Sequence, residues 1–257
     1  VSLRMNDPAP PGEPALRPLS ARSVLLSLLL GTHPPELPAR DLVHLAERFG
    51  VGSSTARAAL SRMASAGDLR RTGEPGYRLS ERLLERQRRQ DEAVRPHTRP
   101  WDGEWEMVVI TATGRGPAER AELRARLAAL RLAELREGVW LRPANLRRPL
   151  PGDLGRVAER YTCRPGDRPD AELAAALWPL DAWADTARAL LAHVDAVRDP
   201  AGRLTAFAAV VRHLLADPVL PPPLLPDDWP GPALRDAYTR YQREQAGRVR
   251  AEGDPPG

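Results

Sequence analysis

Two short stretches of helical hydrophobic spacing, separated by Gly50-Val51-Gly52, constrain this chain more than any other feature. Residues 39–49 place Leu42, Leu45, Ala46 and Phe49 on one face, and residues 54–66 do the same with Ala56, Ala59, Leu60 and Met63. Pro38 suits the first turn of the earlier helix, because a first-turn residue needs no amide hydrogen. Ser53 offers an N-cap for the later helix, and Gly67 a left-handed stop. Short helices joined by a glycine-bearing turn form the helix-turn-helix pattern. Ser20 can cap an earlier helix running to about Leu30, with Val24, Leu25, Leu28 and Leu29 at helical spacing before Gly31 and the stiff His33-Pro34-Pro35. Downstream, Leu69-Arg70-Arg71, Thr72-Gly73-Glu74-Pro75-Gly76 and Tyr77-Arg78-Leu79-Ser80 read as strand, turn and strand. Residues 19–82 are therefore predicted to form a winged helix-turn-helix, behind a loose proline-rich arm at residues 1–18.

Charge points the same way. The 38 basic residues are all arginine, a bias that GC-rich coding produces without any functional cause, so composition alone says little. Placement says more. Residues 20–99 carry 14 arginines against 9 acids, whereas the remainder is close to balance. Positive charge confined to one small domain is the electrostatic footprint of a phosphate-binding module.

If residues 54–66 are helical, Ser54, Thr55, Arg57, Ala58, Ser61 and Arg62 share the outward surface. Arg57 and Arg62 can each contact guanine O6 and N7 in a bidentate manner, and the serines can serve phosphate or base. With Ser53 at its start, the helix also offers free N–H groups to a phosphate. Arg70, Arg71 and Arg78 on the wing suit phosphates, which position a protein on DNA without specifying sequence.

Beyond the head, residues 83–100 are strongly charged and predict a solvated linker helix ended by Pro96 and Pro100. Residues 101–170 read as strand, helix, strand, strand and then a further strand near residues 159–163, a ferredoxin-like α+β unit. Residues 171–250 are helical, interrupted by the proline-rich residues 217–232, and residues 251–257 form a tail. The fold class is α+β.

Enzymatic chemistry finds little support. The single cysteine, Cys163, excludes an intramolecular disulfide and any multi-cysteine metal site. None of the five histidines has metal-ligand or triad spacing, so no cofactor and no metal are expected. The apolar residues 24–30 lack a following cleavage site, and no stretch approaches the ~18 apolar residues needed to span a bilayer, so the expected location is the cytoplasm.

The chain resembles the PaaX-type repressors of phenylacetic acid catabolism. The likeness rests on Thr55-Ala56-Arg57-Ala58-Ala59-Leu60-Ser61-Arg62-Met63 with Gly67 and Tyr77-Arg78-Leu79-Ser80, on Trp101-Asp102-Gly103-Glu104-Trp105, and on Gly138-Val139-Trp140-Leu141-Arg142-Pro143. Leu177-Trp178, Asp217-Pro218 and Leu225-Pro226-Asp227-Asp228-Trp229-Pro230-Gly231 complete it. The resemblance implies a homodimeric repressor that leaves its operator when an aryl-acyl-CoA such as phenylacetyl-CoA binds. Trp101, Trp105, Trp140, Arg142 and Trp178 are the candidate effector residues, although packing is the favoured reading of the tryptophans. A ligand bound between the middle and C-terminal segments would alter the spacing of two heads on an inverted repeat. The alternatives are a repressor or activator answering a different ligand and, less favoured, a metal-dependent nuclease. The middle unit is similar to ferredoxin-like CRISPR-associated nucleases, but its first strand ends in Ile110-Thr111-Ala112-Thr113, with no carboxylate for a metal.

Overall fold

In the computed structural model, residues 16–73 and 75–253 are described, so nearly all of the expected arm, Glu74 of the wing turn and the end of the tail lie outside the described residues. Ser20 accepts a hydrogen bond from the Ser23 amide at 3.2 Å and opens α1 (Ala21–Leu30). Val24, Leu25, Leu26, Leu28, Leu29 and Leu30 are all buried. The helix is thus internal, and its four expected apolar positions are only part of its contact surface.

A short strand, β1 (Glu36–Pro38), follows where the sequence suggested only a stiff turn. It pairs antiparallel with β3 (Gly76–Leu79), which also pairs with β2 (Leu69–Arg71), giving the order β1-β3-β2. Gly76 makes this possible. A Cβ there would lie 2.8 Å from the Leu37 carbonyl oxygen and 2.9 Å from Thr72 Oγ1. Between β1 and β2 stand α2 (Ala39–Arg48) and α3 (Ser53–Ser65), with Gly50 at φ 79° in the turn. Gly52, not Ser53, is the N-cap of α3. Ser53 already has helical geometry, so its hydroxyl does not cap the helix.

The expected linker helix is α4 (Glu81–Val94). It stops at Val94, short of Pro96, and it is not solvated on all sides. Leu83, Gln87, Gln90 and Val94 are buried at helical spacing. Gln87 Nε2 donates to the Leu30 oxygen at 2.9 Å and the Thr32 oxygen at 3.0 Å, satisfying carbonyls that α1 leaves open at its end. The stripe escapes hydropathy because half of it is glutamine.

Packing divides the chain into two compact units that do not follow chain order. The first comprises the chain up to Val94, Thr186–Leu215 and everything from Pro230; the second comprises Arg95–Asp185 and Ala216–Trp229. The expected helical segment, residues 171–250, is shared between them. Within the first unit, α8 (Pro200–Leu215) and α9 (Gly231–Gly253) pack on each other and on α4. Phe207 stacks on Tyr241 at 4.0 Å, Arg203 pairs with Glu244 at 3.0 Å, and Arg235 Nε donates to the Ala93 oxygen at 3.1 Å.

The second unit contains β4 (Trp105–Ile110), α5 (Pro117–Ala129), β5 (Ala133–Arg136), β6 (Val139–Pro143) and β7 (Ala158–Cys163), with a 3-10 turn at Gly152–Arg156 between β6 and β7. The sheet order is β5-β6-β4-β7, antiparallel throughout. Strand alternation sends Val108 and Trp140 to one face, against Leu123 and Leu127 of α5. Trp105 and Leu141 go to the other, against Leu173 and Ala174 of α6 (Asp170–Leu177) and against Leu220 and Leu224. Helix α7 (Leu180–Ala196) begins in this unit, where Trp183 stacks on Trp229 at 4.5 Å. That stack anchors the long proline-rich loop.

Candidate nucleic-acid interface

Helix α3 buries Ala56, Ala59, Leu60 and Met63, each 2% exposed or less, against α1 and α2. Once that stripe faces inward, helical geometry leaves Ser54, Thr55, Arg57, Ala58, Ser61 and Arg62 outward, and all six are exposed. Ser53 is half-buried at the helix start. No side chain caps the first turn, and the first intrahelical bond there runs from the Ala56 amide to the Gly52 oxygen at 2.9 Å. The amides of residues 53–55 therefore point out of the helix end without an intrahelical acceptor.

The β2–β3 hairpin lies beside this face. Arg57 shares a surface depression with Arg40 and Val43 of α2 and with Pro75 and Tyr77 of the hairpin. Arg71 and Arg78 are exposed and, like Arg57 and Arg62, have no ion-pair partner among the described residues. Arg70 differs: its guanidinium lies 3.6 Å from Glu81 across an exposed surface, a weak tether at that distance.

What holds α3 in place is a residue that sequence reasoning missed. Gly67 takes φ 73°, its amide bonds to the Ala64 oxygen at 3.1 Å, and the Asp68 amide bonds back to the Met63 oxygen at 2.9 Å. This closure turns Asp68 inward, where it is 4% exposed. Its carboxylate accepts from Arg22 of α1 at 2.6 Å and from Arg82 of α4, and its carbonyl accepts from the Ser80 amide at 3.0 Å. A buried carboxylate satisfied by two guanidinium groups is costly to leave half-paired, so α1, α3, β3 and α4 are fixed together at this point. The available signal was an acid following a helix-stop glycine, between arginine-rich elements.

Three family profiles match the chain: PaaX-like protein at residues 20–83, PaaX protein central Cas2-like domain at 98–157, and PaaX-like protein C-terminal domain at 178–251. The chain belongs to the PaaX family. Among solved structures, the uncharacterized protein Rv0674 from Mycobacterium tuberculosis is similar to it, with 48% identity, a TM-score of 0.79, and coverage of 90% of this chain and 98% of that one. No curated protein matches it significantly. PaaX proteins are regulators, and the exposed face of α3 lies within the first matched segment.

The five residues drawn from the PaaX motifs as effector candidates are not brought together. Trp101, Trp105 and Trp178 meet: Trp105 stands 6.5 Å from each of the other two rings, edge-on to Trp101 and stacked on Trp178. Trp105 is itself fully buried, and its indole N–H donates to Asp170 at 2.7 Å. Trp140 lies on the opposite face of the sheet. Arg142 is fully buried and donates to the Pro143 and Arg131 carbonyls and to Asn145 Oδ1, while Asn145 Nδ2 donates to the Val219 oxygen. Burial, reinforced by the nearby Arg148 charge, pulls the Arg142 guanidinium down to about 9. Arg142 ties the end of β6, through Asn145, to the loop at residues 216–229, and its donors are directed at protein atoms.

Among the described residues, no group of three or more His, Cys, Asp or Glu side chains could hold a metal ion, and no helix is long and apolar enough to cross a membrane.

Proposed function

We propose that this chain is a sequence-specific DNA-binding transcriptional repressor of the PaaX type. Its reading element is α3, in a winged helix-turn-helix built from α1, β1, α2, α3, β2 and β3. The observation that carries this reading is the exposure of Arg57 and Arg62 on one face of α3, with no ion pair to occupy them and with the wing arginines nearby. Exposed, uncompensated guanidinium groups on a helix that anchors by its opposite face are suited to base edges in a major groove. Ser53, Ser54, Thr55, Ala58 and Ser61 complete the surface, and Arg70, Arg71 and Arg78 would take the backbone. The β5-β6-β4-β7 order of the second unit supports a ferredoxin-like topology, its second crossover helix reduced to the 3-10 turn at Gly152–Arg156. Family membership favours a homodimer that releases its operator on binding an acyl-CoA, phenylacetyl-CoA being the first to test. Trp101, Trp105, Trp140, Arg142 and Trp178 remain the effector residues proposed from the family motifs, with Trp101, Trp105 and Trp178 sharing one aromatic cluster.

A mobility-shift titration on the DNA upstream of its own coding sequence tests the reading. Specific retention whose affinity falls steeply between low and physiological salt is expected, because phosphate contacts release counterions. Equal, weak retention of unrelated DNA would refute sequence-specific reading.

A further inference from the structure

Within the first unit, α1, α4, α8 and α9 leave a cavity of ≈ 290 Å³. Leu26, Leu204, Phe207 and Val211 line it, and the Phe207–Tyr241 stack, with 12° between ring planes, supplies a flat aromatic wall. Arg22 of α1, Arg86 of α4 and Arg212 of α8 line it as well, and among the described residues no acidic side chain does. Burial lowers the Arg86 guanidinium, and the charges of Arg212, Arg22, Arg89 and Arg82 lower it further. Neither Arg86 nor Arg212 has an ion-pair partner among the described residues. Gln90, only 6% exposed, also lines the cavity, and its amide has no hydrogen-bond partner among the described residues. Burial raises both Tyr238 and Tyr241, so these phenols stay neutral and add no negative charge.

Mutually repelling arginines around an apolar, aromatic-walled space leave a positive charge that a ligand can neutralise. We propose that this cavity binds a small amphiphilic organic anion, with a carboxylate or phosphate on Arg22, Arg86 and Arg212 and an aromatic or alkyl body against Phe207. The space lies at the small end of ligand pockets, roughly 300–1,000 Å³. It accommodates a single-ring acid, whereas the nucleotide of a CoA ester would lie outside. Arg22 also gives the site a route to α3, because the same guanidinium holds Asp68 at 2.6 Å. An anion that draws Arg22 toward the cavity competes with Asp68 and loosens one of two anchors at the end of α3. This coupling rests on reading α3 as the DNA-contacting helix; the binding site does not.

The test uses the full chain, calorimetry, and four probes: phenylacetate, octanoate, phenylacetyl-CoA and inorganic phosphate. Saturable binding of phenylacetate or octanoate is expected, with phosphate far weaker because it has no apolar body. Tightest binding by the thioester, whose acyl group carries no carboxylate and whose phosphates would lie outside the cavity, overturns this mode of binding. Arg86→Gln and Arg212→Gln should each weaken the binding about tenfold or more, and Ala208→Trp, which fills the space, should abolish it, all with wild-type circular dichroism. No binding of any probe, or binding that all three variants leave untouched, overturns the site. If the probe binds but leaves wild-type DNA affinity unchanged, the Arg22 coupling falls and the site stands. If the probe binds and no DNA is retained at all, it is the repressor reading that fails.

Discussion

Arg57 and Arg62 differ from the wing arginines in what they can reach. On a helix packed through Leu60 and Met63, each would present a planar fork to a fixed place in a groove under the proposed function, which suits bidentate base contact. Arg71 and Arg78 stand on the edge of a small hairpin and serve as point charges. Arg57→Ala or Arg62→Ala should therefore cost roughly 1–3 kcal/mol on the operator and relax preference at particular base pairs. Arg71→Ala or Arg78→Ala should weaken all sequences alike and flatten the salt dependence; quantitative mobility shifts on operator, point-mutated operator and random DNA distinguish the two outcomes. Asp68→Ala belongs to a different class. It removes the buried carboxylate from Arg22 and Arg82, whose own side chains are largely exposed and can re-solvate, so a loss of about 1–3 kcal/mol in urea denaturation is expected. At this scale the sequence was legible wherever periodicity governs: the buried and exposed faces of α3 follow directly from its spacing. It was opaque for Asp68, whose role depends on two arginines 46 and 14 positions away.

Helices announce themselves through local spacing, and short strands do not. The bounds of α1, α2 and α3 were readable from caps and glycine stops to within a residue or so, but β1 has only three residues and exists because β3 arrives beside it from 40 positions downstream. Gly76 is the point of contact. Gly76→Ala would force its Cβ against a backbone oxygen, which cannot swing aside as a side chain can. Separation of β1 from β3, a loss of roughly 1–3 kcal/mol, and weakened DNA retention with the α3 face unaltered are expected. Hydrogen exchange at the Leu79 amide, which donates to the Pro35 oxygen at 3.2 Å, would report it, and unchanged protection there would refute the close-approach argument. Helix α4 shows the opposite failure. Its charge is legible but its buried stripe is not, since the glutamines that fill it are counted as polar. Gln87→Ala leaves the Leu30 and Thr32 carbonyls without their donor, so it should cost about 1–3 kcal/mol despite replacing a nominally hydrophilic residue.

The arrangement of the whole chain was the least legible level. Composition and motif order suggest segments folding in sequence, a head, then a middle, then a helical end. The structure instead builds one compact unit from three separated stretches, with α8 and α9 packed against α4 and α9 also against α2. Nothing local encodes this, because each of these helices is compatible with many partners until the buried stripe of α4 packs with α8 and α9. The consequence is testable by truncation. A fragment ending after residue 94 retains every element of the proposed winged helix, yet it exposes the buried stripe of α4 and the apolar sides of α1 that the later helices cover. Loss of that burial, at roughly 1.5–3 kcal/mol for each large apolar side chain, is comparable to the whole stability of a small domain. The isolated fragment should therefore melt well below the intact chain, or fail to show a cooperative transition by circular dichroism, and should bind DNA weakly even though its reading helix is intact. Adding α8 and α9 back by a linker should restore both. A fragment as stable as the full chain would mean that the head folds on its own and that the C-terminal helices merely dock on it, which would leave α4 the solvated linker its charge suggested.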